Sequence, residues 1–304
     1  MAGGVITTGN TPKALFPGIR AWWGRVYDEH NEEYPDLFDI KNSTQNYEED
    51  VLIGGFGLAA VKEQGQSIGY DSEIQGYVSR YTHVVYGVGY ITTREEIEDN
   101  LYETVGMRRS EAAAFSLRQT EETVCANVYN RCTTAGYTGG DGVVLLTDSH
   151  PTKSGNQSNI LSPAADISEA AIEDMIVQIM GATNDKGLKI SLMPRMLLVH
   201  RNDWFEANRI LKSTLQNDTA NNATNVLKQT NAIPDGASVN HYFTDSDAWF
   251  IRTNCPRGMI YMLRRDKEFT QDNDFDTENA KAKCTKRFSC GWTDWRGLFG
   301  SVGA

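Results

Sequence analysis

Tyr77-Val78-Ser79-Arg80-Tyr81-Thr82-His83-Val84-Val85-Tyr86-Gly87-Val88-Gly89-Tyr90-Ile91-Thr92-Thr93-Arg94-Glu95-Glu96 is the stretch whose reading decides the fold. Up to Ile91 it is mostly Val, Tyr and Thr punctuated by Gly, residues that suit a long pleated strand. The period changes at Thr92. Thr93 and Glu96 have the spacing of a capping box, so a helix is expected to begin there. Its pattern persists to Arg131, with Gly106 as the one weak point. If unbroken, that helix spans about 57 Å, far longer than the usual helix of a compact domain. A strand that cannot close its own sheet, feeding so long a helix, predicts a part built to touch neighbouring copies.

Upstream, Val51-Leu52-Ile53 followed by Gly54-Gly55-Phe56-Gly57 reads as the outgoing limb of a hairpin whose return limb is Tyr77–Ile91. Such a two-stranded ribbon is marginal alone and must rest on something else. Residues 1–50 show little periodicity. Their scattered anchors (Trp22-Trp23, Tyr27, Tyr34, Leu37-Phe38) fit either an irregular segment packed on its own domain or an arm laid across an adjacent subunit. Within the helix, Ile97, Leu101 and Val105 form one apolar stripe, and Ala113, Leu117, Val124 and Val128 a second.

Downstream, Val143-Val144-Leu145-Leu146 reads as a short buried strand. Ser168 opens a helix carrying Ile172, Met175, Ile176, Ile179 and Met180, stopped by Gly181. Arg195–His200 is a strand, Asn202 is placed to cap a helix with Trp204, Ala207 and Leu211, and 213–230 reads as an exposed loop. Strand-helix alternation over 166–257 indicates a small α/β subdomain. Gly258–Leu263 is apolar throughout. From 281 the chain alternates, with Ala282, Cys284, Phe288, Cys290 and Trp292 on one face and Lys286 as the exception; the opposite face is basic and is expected to pair with the acidic run 272–278.

The chain has 304 residues, 40% apolar and 23% charged, ordinary for a globular protein. Its net charge of -11 opposes a dominant phosphate-binding role, which needs a basic footprint. Five Cys, at 125, 132, 255, 284 and 290, lack the spacing of a zinc or redox pair and read as buried free thiols of a reducing compartment. No signal peptide and no run long enough to span a membrane are visible.

Motifs with catalytic overtones fail on context. Gly65-Gln66-Ser67-Ile68-Gly69 matches a nucleophile elbow, which would make Ser67 a serine-hydrolase nucleophile. The elbow needs a strand before it and a helix after it; here the next element is a strand, and too few residues precede it to build a hydrolase sheet. Asp272-Asn273-Asp274-Phe275-Asp276 imitates a calcium loop but has Thr277 and Lys283 where Gly and Glu are required. Asp148-Ser149-His150-Pro151 reads as a turn. Trp204, Trp249, Trp292 and Trp295 lie in apolar surroundings and read as core. No catalytic, cofactor-binding or metal-ligating residue is assigned, and no cofactor.

Several of these segments, in order, resemble the major capsid proteins of tailed bacteriophages, and the Mu-like major head subunit group in particular. They are Gly65-Gln66-Ser67-Ile68-Gly69-Tyr70-Asp71, Gln75-Gly76-Tyr77, Tyr81-Thr82-His83, Thr93-Arg94-Glu95-Glu96-Ile97-Glu98-Asp99, Thr147-Asp148-Ser149-His150-Pro151 and Pro234-Asp235-Gly236. Asn240-His241-Tyr242, Asp247-Ala248-Trp249-Phe250, Asp274-Phe275-Asp276-Thr277 and the ending Gly291-Trp292-Thr293-Asp294-Trp295-Arg296-Gly297-Leu298-Phe299-Gly300 follow. The likeness covers about residues 50–304. It implies an α+β, Hong Kong phage-type capsid fold: an N-terminal arm (1–50), an extended β-hairpin loop (51–92), a spine helix with the first part of the peripheral domain (93–165), an axial domain (166–257) and C-terminal strands of the peripheral domain (258–304). It also implies a non-enzymatic shell protein that assembles as pentamers and hexamers into an icosahedral virion shell around double-stranded DNA, built in the host cytoplasm. A scaffolding protein (or a segment cleaved before this numbering), a portal and a decoration protein are the implied partners. An encapsulin-like cargo shell is the alternative with the same fold.

Overall fold

The computed structural model describes residues 12–73, 75–99, 107–216, 223–274 and 278–304, without the side chains of 12–19, 21, 97 and 98. In chain order the helices are α1 (Pro12–Glu29), α2 (Tyr34–Leu37), α3 (Arg94–Glu98), α4 (Met107–Asn130), α5 (Glu169–Met180), α6 (Trp204–Lys212) and α7 (Val226–Gln229). The strands are β1 (Asp39–Asn42), β2 (Tyr47–Ile53), β3 (Gln75–Thr82), β4 (Val84–Thr92), β5 (His150–Thr152), β6 (Gly155–Gln157), β7 (Pro194–His200), β8 (Ala237–Asn240), β9 (Trp249–Thr253), β10 (Met259–Asn273), β11 (Ala280–Trp292) and β12 (Leu298–Ser301).

Two four-stranded sheets carry the molecule. The first has the order β1-β10-β11-β4, with β1 parallel to β10 and the rest antiparallel. The helices α1 and α4 pack on it. The second has the order β12-β9-β7-β8 and is packed by α5 and α6 through Ile172, Met175, Ile179, Ala207 and Ile210. β2 and β3 form a separate antiparallel ribbon, Tyr47 opposite Thr82 and Ile53 opposite Gln75, so the predicted hairpin is present.

The single long strand of the sequence reading is two strands with different partners. β3 pairs with β2 in the ribbon, whereas β4 pairs with β11 in the first sheet. The change happens at His83, a buried residue outside both strands. Its Nδ1 lies 2.9 Å from Ser289 Oγ and its Nε2 3.0 Å from Ser43 Oγ. The Ser43 hydroxyl donates to Glu48 at 2.6 Å, so it accepts from the ring. Burial, then Arg287, lowers the imidazole below its usual range. One side chain thus pins the base of both ribbon limbs to the sheet.

Thr93 caps as expected, its hydroxyl accepting from the Glu96 amide at 3.4 Å. Leu101, Val105 and Gly106 lie outside the described residues. In α4, Ala113 and Leu117 are buried but Val124 and Val128 only partly so. The centre of the buried face is Ala114, Arg118, Glu121, Glu122, Cys125 and Tyr129, rotated from the predicted stripe. Residues 12–29 are helical where no periodicity was read. Pro17, Gly18 and Gly24 depress helix propensity, and only Trp23, Val26 and Tyr27 mark the buried face. From Trp22 to Phe38 the segment packs on its own subunit.

Other differences are local. Leu145 and Leu146 are buried without forming a strand; Val144 makes only an isolated bridge to Thr138. Asn202 is not a cap: a 3-10 turn, Arg201–Asp203, precedes α6, and the His200 ring accepts from the Asn202 amide at 3.3 Å. Ser168 does cap α5, accepting from Ala171 at 3.2 Å, though Met180 faces solvent. Within 213–230, α7 forms under an Asn225 cap and buries Leu227. The predicted acidic-basic pairing is found for Lys281 and Asp274, 2.5 Å apart.

β12, read from sequence with the other C-terminal strands, instead leaves the first sheet and pairs with β9 in the second. The crossing is tight. A Cβ added to Gly297 would lie 2.4 Å from the Gly258 Cα. Backbone meets backbone there, so no flexible side chain yields. Gly297→Ala is expected to destabilise the subunit by about 1–3 kcal/mol, read as a lowered urea midpoint.

Candidate assembly surface and its buried brace

Glu121, on the buried face of α4, is fully enclosed. Its Oε1 accepts from Lys286 Nζ at 2.5 Å and from the Tyr261 hydroxyl at 2.6 Å. Its Oε2 accepts from the Tyr27 hydroxyl at 2.9 Å and from Arg118 Nη1 at 3.1 Å. Four donors from α1, α4, β10 and β11 therefore converge on one carboxylate. Burial, and then the Glu121 charge, drives the phenol pKa values of Tyr27 and Tyr261 far up, so both stay protonated donors. Lys286, the misfit on the apolar face of β11, is the counter-charge this site requires. A buried charge is tolerated only when paired and hydrogen-bonded, and this one is saturated.

Glu122 beside it is less well served. Its Oε1 accepts from the Glu33 amide at 3.1 Å, while its Oε2 has no hydrogen-bond partner among the described residues. Burial first, with the charges of Glu121 and Glu33 adding, pushes its carboxyl up to about 7. Glu33 in turn accepts from the His241 amide at 2.9 Å, joining the α1–α2 connection to the loop after β8.

The ribbon loop 54–73 carries a concentration of exposed apolar side chains. Phe56, Leu58, Val61, Ile68 and Tyr70 all face solvent, Val61 at 93% and Tyr70 at 99%. Five large apolar side chains exposed along one loop point to an interaction site. The base of the loop is held. Asp71 accepts from the Gly57 amide at 2.6 Å and from Lys186 Nζ at 2.9 Å. The Gly57 bond, then Lys186, lowers the Asp71 carboxyl to about 2. The Tyr77 hydroxyl adds a bond to the Pro151 carbonyl at 2.7 Å. The loop thus projects from a fixed stem.

The residues tested for chemistry do not converge. Ser67 sits on this exposed loop, with no strand leading into it and no helix following, so the elbow geometry is missing. His150 is fully buried; its Nδ1 lies 2.7 Å from Asp141 Oδ2, its Nε2 3.1 Å from Asn159 Oδ1, and its ring stacks on Trp295 at 4.3 Å. Its carboxylate partner is Asp141, not Asp148. Of the calcium-like run, Asp274 pairs with Lys281, while Phe275, Asp276 and Thr277 lie outside the described residues. Among the described residues no group of three or more His, Cys, Asp or Glu is placed to hold a metal. Trp249 and Trp295 are buried and Trp204 and Trp292 partly so, all in apolar clusters.

A family model described as phage capsid protein matches residues 76–300. The chain belongs to that family. Among curated proteins none matches the sequence. The fold is similar to the virus-like particle from Pyrococcus furiosus, at 11% identity and a TM-score of 0.56, covering 94% of this chain and 98% of that one. It is also similar to the capsid of the native GTA particle, at 9% identity and 0.54, covering 90% and 92%. For the procapsid of bacteriophage JBD30 the values are 14% and 0.51, covering 98% of this chain and 77% of that one.

In this capsid protein the brace ties α1, α4, β10 and β11 into one body. Sequence reading flagged Lys286 but missed Arg118, Glu121 and Glu122. The available signal was three charged residues within a stretch whose flanks, Ala114 and Cys125, are apolar at helical spacing. Lys286→Met is expected to destabilise the subunit by about 3–5 kcal/mol, because the Glu121 charge is left buried with one cation fewer. Adding Glu121→Gln should cost less than the sum, and a double-mutant cycle in urea measures the difference. For Glu122 the folded-state proton affinity is raised, so the group weakens folding once ionised. That loss is absent below the unfolded value near 4.5, grows as pH rises, and is complete above about 7. Glu122→Gln should remove about 3 kcal/mol of pH-dependent stability between pH 5 and 8, checked by denaturation at a series of pH values.

Proposed function

We propose that this capsid protein assembles as pentamers and hexamers, with the ribbon loop 54–73 of each copy laid on its neighbour, to form an icosahedral shell around double-stranded DNA. The observation that carries this reading is the exposed apolar run Phe56, Leu58, Val61, Ile68 and Tyr70 on a stem tied down at Asp71. It is a surface that a lone subunit cannot satisfy. The division into arm (1–50), extended loop (51–92), spine and first peripheral part (93–165), axial domain (166–257) and C-terminal peripheral strands (258–304) fits the two sheets, with β12 as the strand that crosses between them. The net charge of -11 suits an enclosure that does not adhere to packaged DNA. The order of motifs shared with Mu-like major head subunits supports that branch of the family. A separate scaffolding protein, a portal and a decoration protein complete the proposed set of partners, with assembly in the host cytoplasm and no enzymatic step.

A cargo shell of encapsulin type is the second reading, favoured by the fold shared with a virus-like particle. Nuclease-protected DNA in purified particles, as opposed to a packaged protein, separates the two. Deleting 58–70, the part of the loop beyond the Gly57–Asp71 bond, should leave the subunit's urea midpoint unchanged while abolishing closed particles in negative-stain micrographs. Normal particles from that variant would overturn the role given to the loop.

A further inference from the structure

Two of the five cysteines are neighbours. Cys125 lies on the buried face of α4, one helical turn beyond Glu121, and is fully enclosed. Cys290 lies on β11, packs against the same apolar cluster, and its thiol points at the Val124 carbonyl, 3.7 Å away. Val124, whose carbonyl the Cys290 thiol reaches, is the residue before Cys125, and both cysteines belong to the same apolar cluster. They differ in access. Cys290 is only partly buried and lines a solvent-open, largely polar cavity of about 310 Å³ between β3, the 138–140 turn and the end of β11. Gly139 and Gly140 shape its wall, since a Cβ on either would strike the Trp292 ring or the Val78 carbonyl. Cys132, Cys255 and Cys284 are buried.

We infer that Cys290 and Cys125 form a redox-sensitive lock, in which a small-molecule disulfide entering the cavity oxidises the pair and staples α4 to β11. The Cys290 thiolate attacks one sulfur of the small disulfide, forming a mixed disulfide and expelling one small thiolate, which takes up a proton. The Cys125 sulfur then attacks the Cys290 sulfur; the Cys290–small-molecule bond breaks, and the second small thiol leaves with the Cys125 proton. The protein loses two hydrogens and two electrons, and the small disulfide is reduced to two thiols. Burial raises the Cys125 thiol well above its ordinary range, so the second step is the slow one and the mixed disulfide accumulates first. The site is reduced in a reducing cell and closes when a particle reaches an oxidising medium.

The test is to incubate the purified, folded protein with glutathione disulfide, quench by alkylation, and follow intact mass and peptide maps with time. The expected course is one glutathione adduct on Cys290, followed by loss of that adduct, leaving a mass lower than the starting protein by two hydrogens and a cross-linked Cys125–Cys290 peptide. Cys132, Cys255 and Cys284 should stay reduced. The oxidised protein should melt at a higher temperature than the reduced one, and dithiothreitol should reverse the shift. Cys290→Ser, at the more exposed position, should abolish both adduct and shift, and Cys125→Ser should stop the reaction at the adduct. A stable Cys290 adduct on the unaltered protein that never resolves would overturn the inference, as would cross-linking seen only under denaturing conditions.

Discussion

Enclosing the Glu121 carboxylate is the constraint on which the rest of the first unit depends. An isolated charge in a dry interior costs many kcal/mol, so its position is tolerable only where compensating donors are held around it. Those donors come from four elements far apart in the chain: Tyr27 of α1, Arg118 one turn earlier on α4, Tyr261 of β10 and Lys286 of β11. Apolar packing alone would permit α4 to slide or rotate on the sheet, since Leu and Ala contacts are not directional. Four hydrogen bonds to two oxygens set one rotation and one height. The shift of the buried face away from the Val124 and Val128 stripe is the visible consequence.

That rigidity matters because of what is built on it. The ribbon is joined to the body at its base, where His83 holds Ser43 and Ser289 together, and at the loop stem, where Asp71 gathers Gly57 and Lys186. Between these anchors and the loop's far end the chain carries apolar side chains into solvent. A monomer gains nothing by this arrangement. In the proposed shell each copy's exposed surface would be removed from water by another copy, which would make stability a property of the assembly. The second sheet, closed by β12 from the far end of the sequence, binds the two units into one body through the Gly258–Gly297 crossing.

Much of this was legible in the chain as written. The hairpin limbs, the Thr93 cap, the Ser168 helix, the strand at 194–200 and the alternation of β11 each follow from a local rule about period, cap or turn. The failures share a cause. His83 looks like one more strand residue because β propensity says nothing of partner, so the break between β3 and β4 was invisible. The helix at 12–29 was missed because its prolines and glycines argue against helix locally, while the aromatic contacts that hold Trp23 and Tyr27 lie on α4 and β10. Val143–Leu146 has strand-like residues and the right burial, but no strand beside it.

By itself the sequence determined several of the strands and helices, among them the Ser168 helix, the strand ending at His200 and the alternation of β11, that the ribbon and its return limb pair, that no catalytic or metal constellation is spelled out by spacing, and, through the order of its motifs, the family. Only the tertiary structure decided which sheet each strand joins, which face of α4 is buried, and why Lys286 stands among apolar neighbours. The reason is physical. Backbone period and capping act within a few residues and are written there, whereas a buried charge is explained by donors that arrive from elsewhere in the chain, and nothing local to Glu121 or Lys286 records that the two will meet.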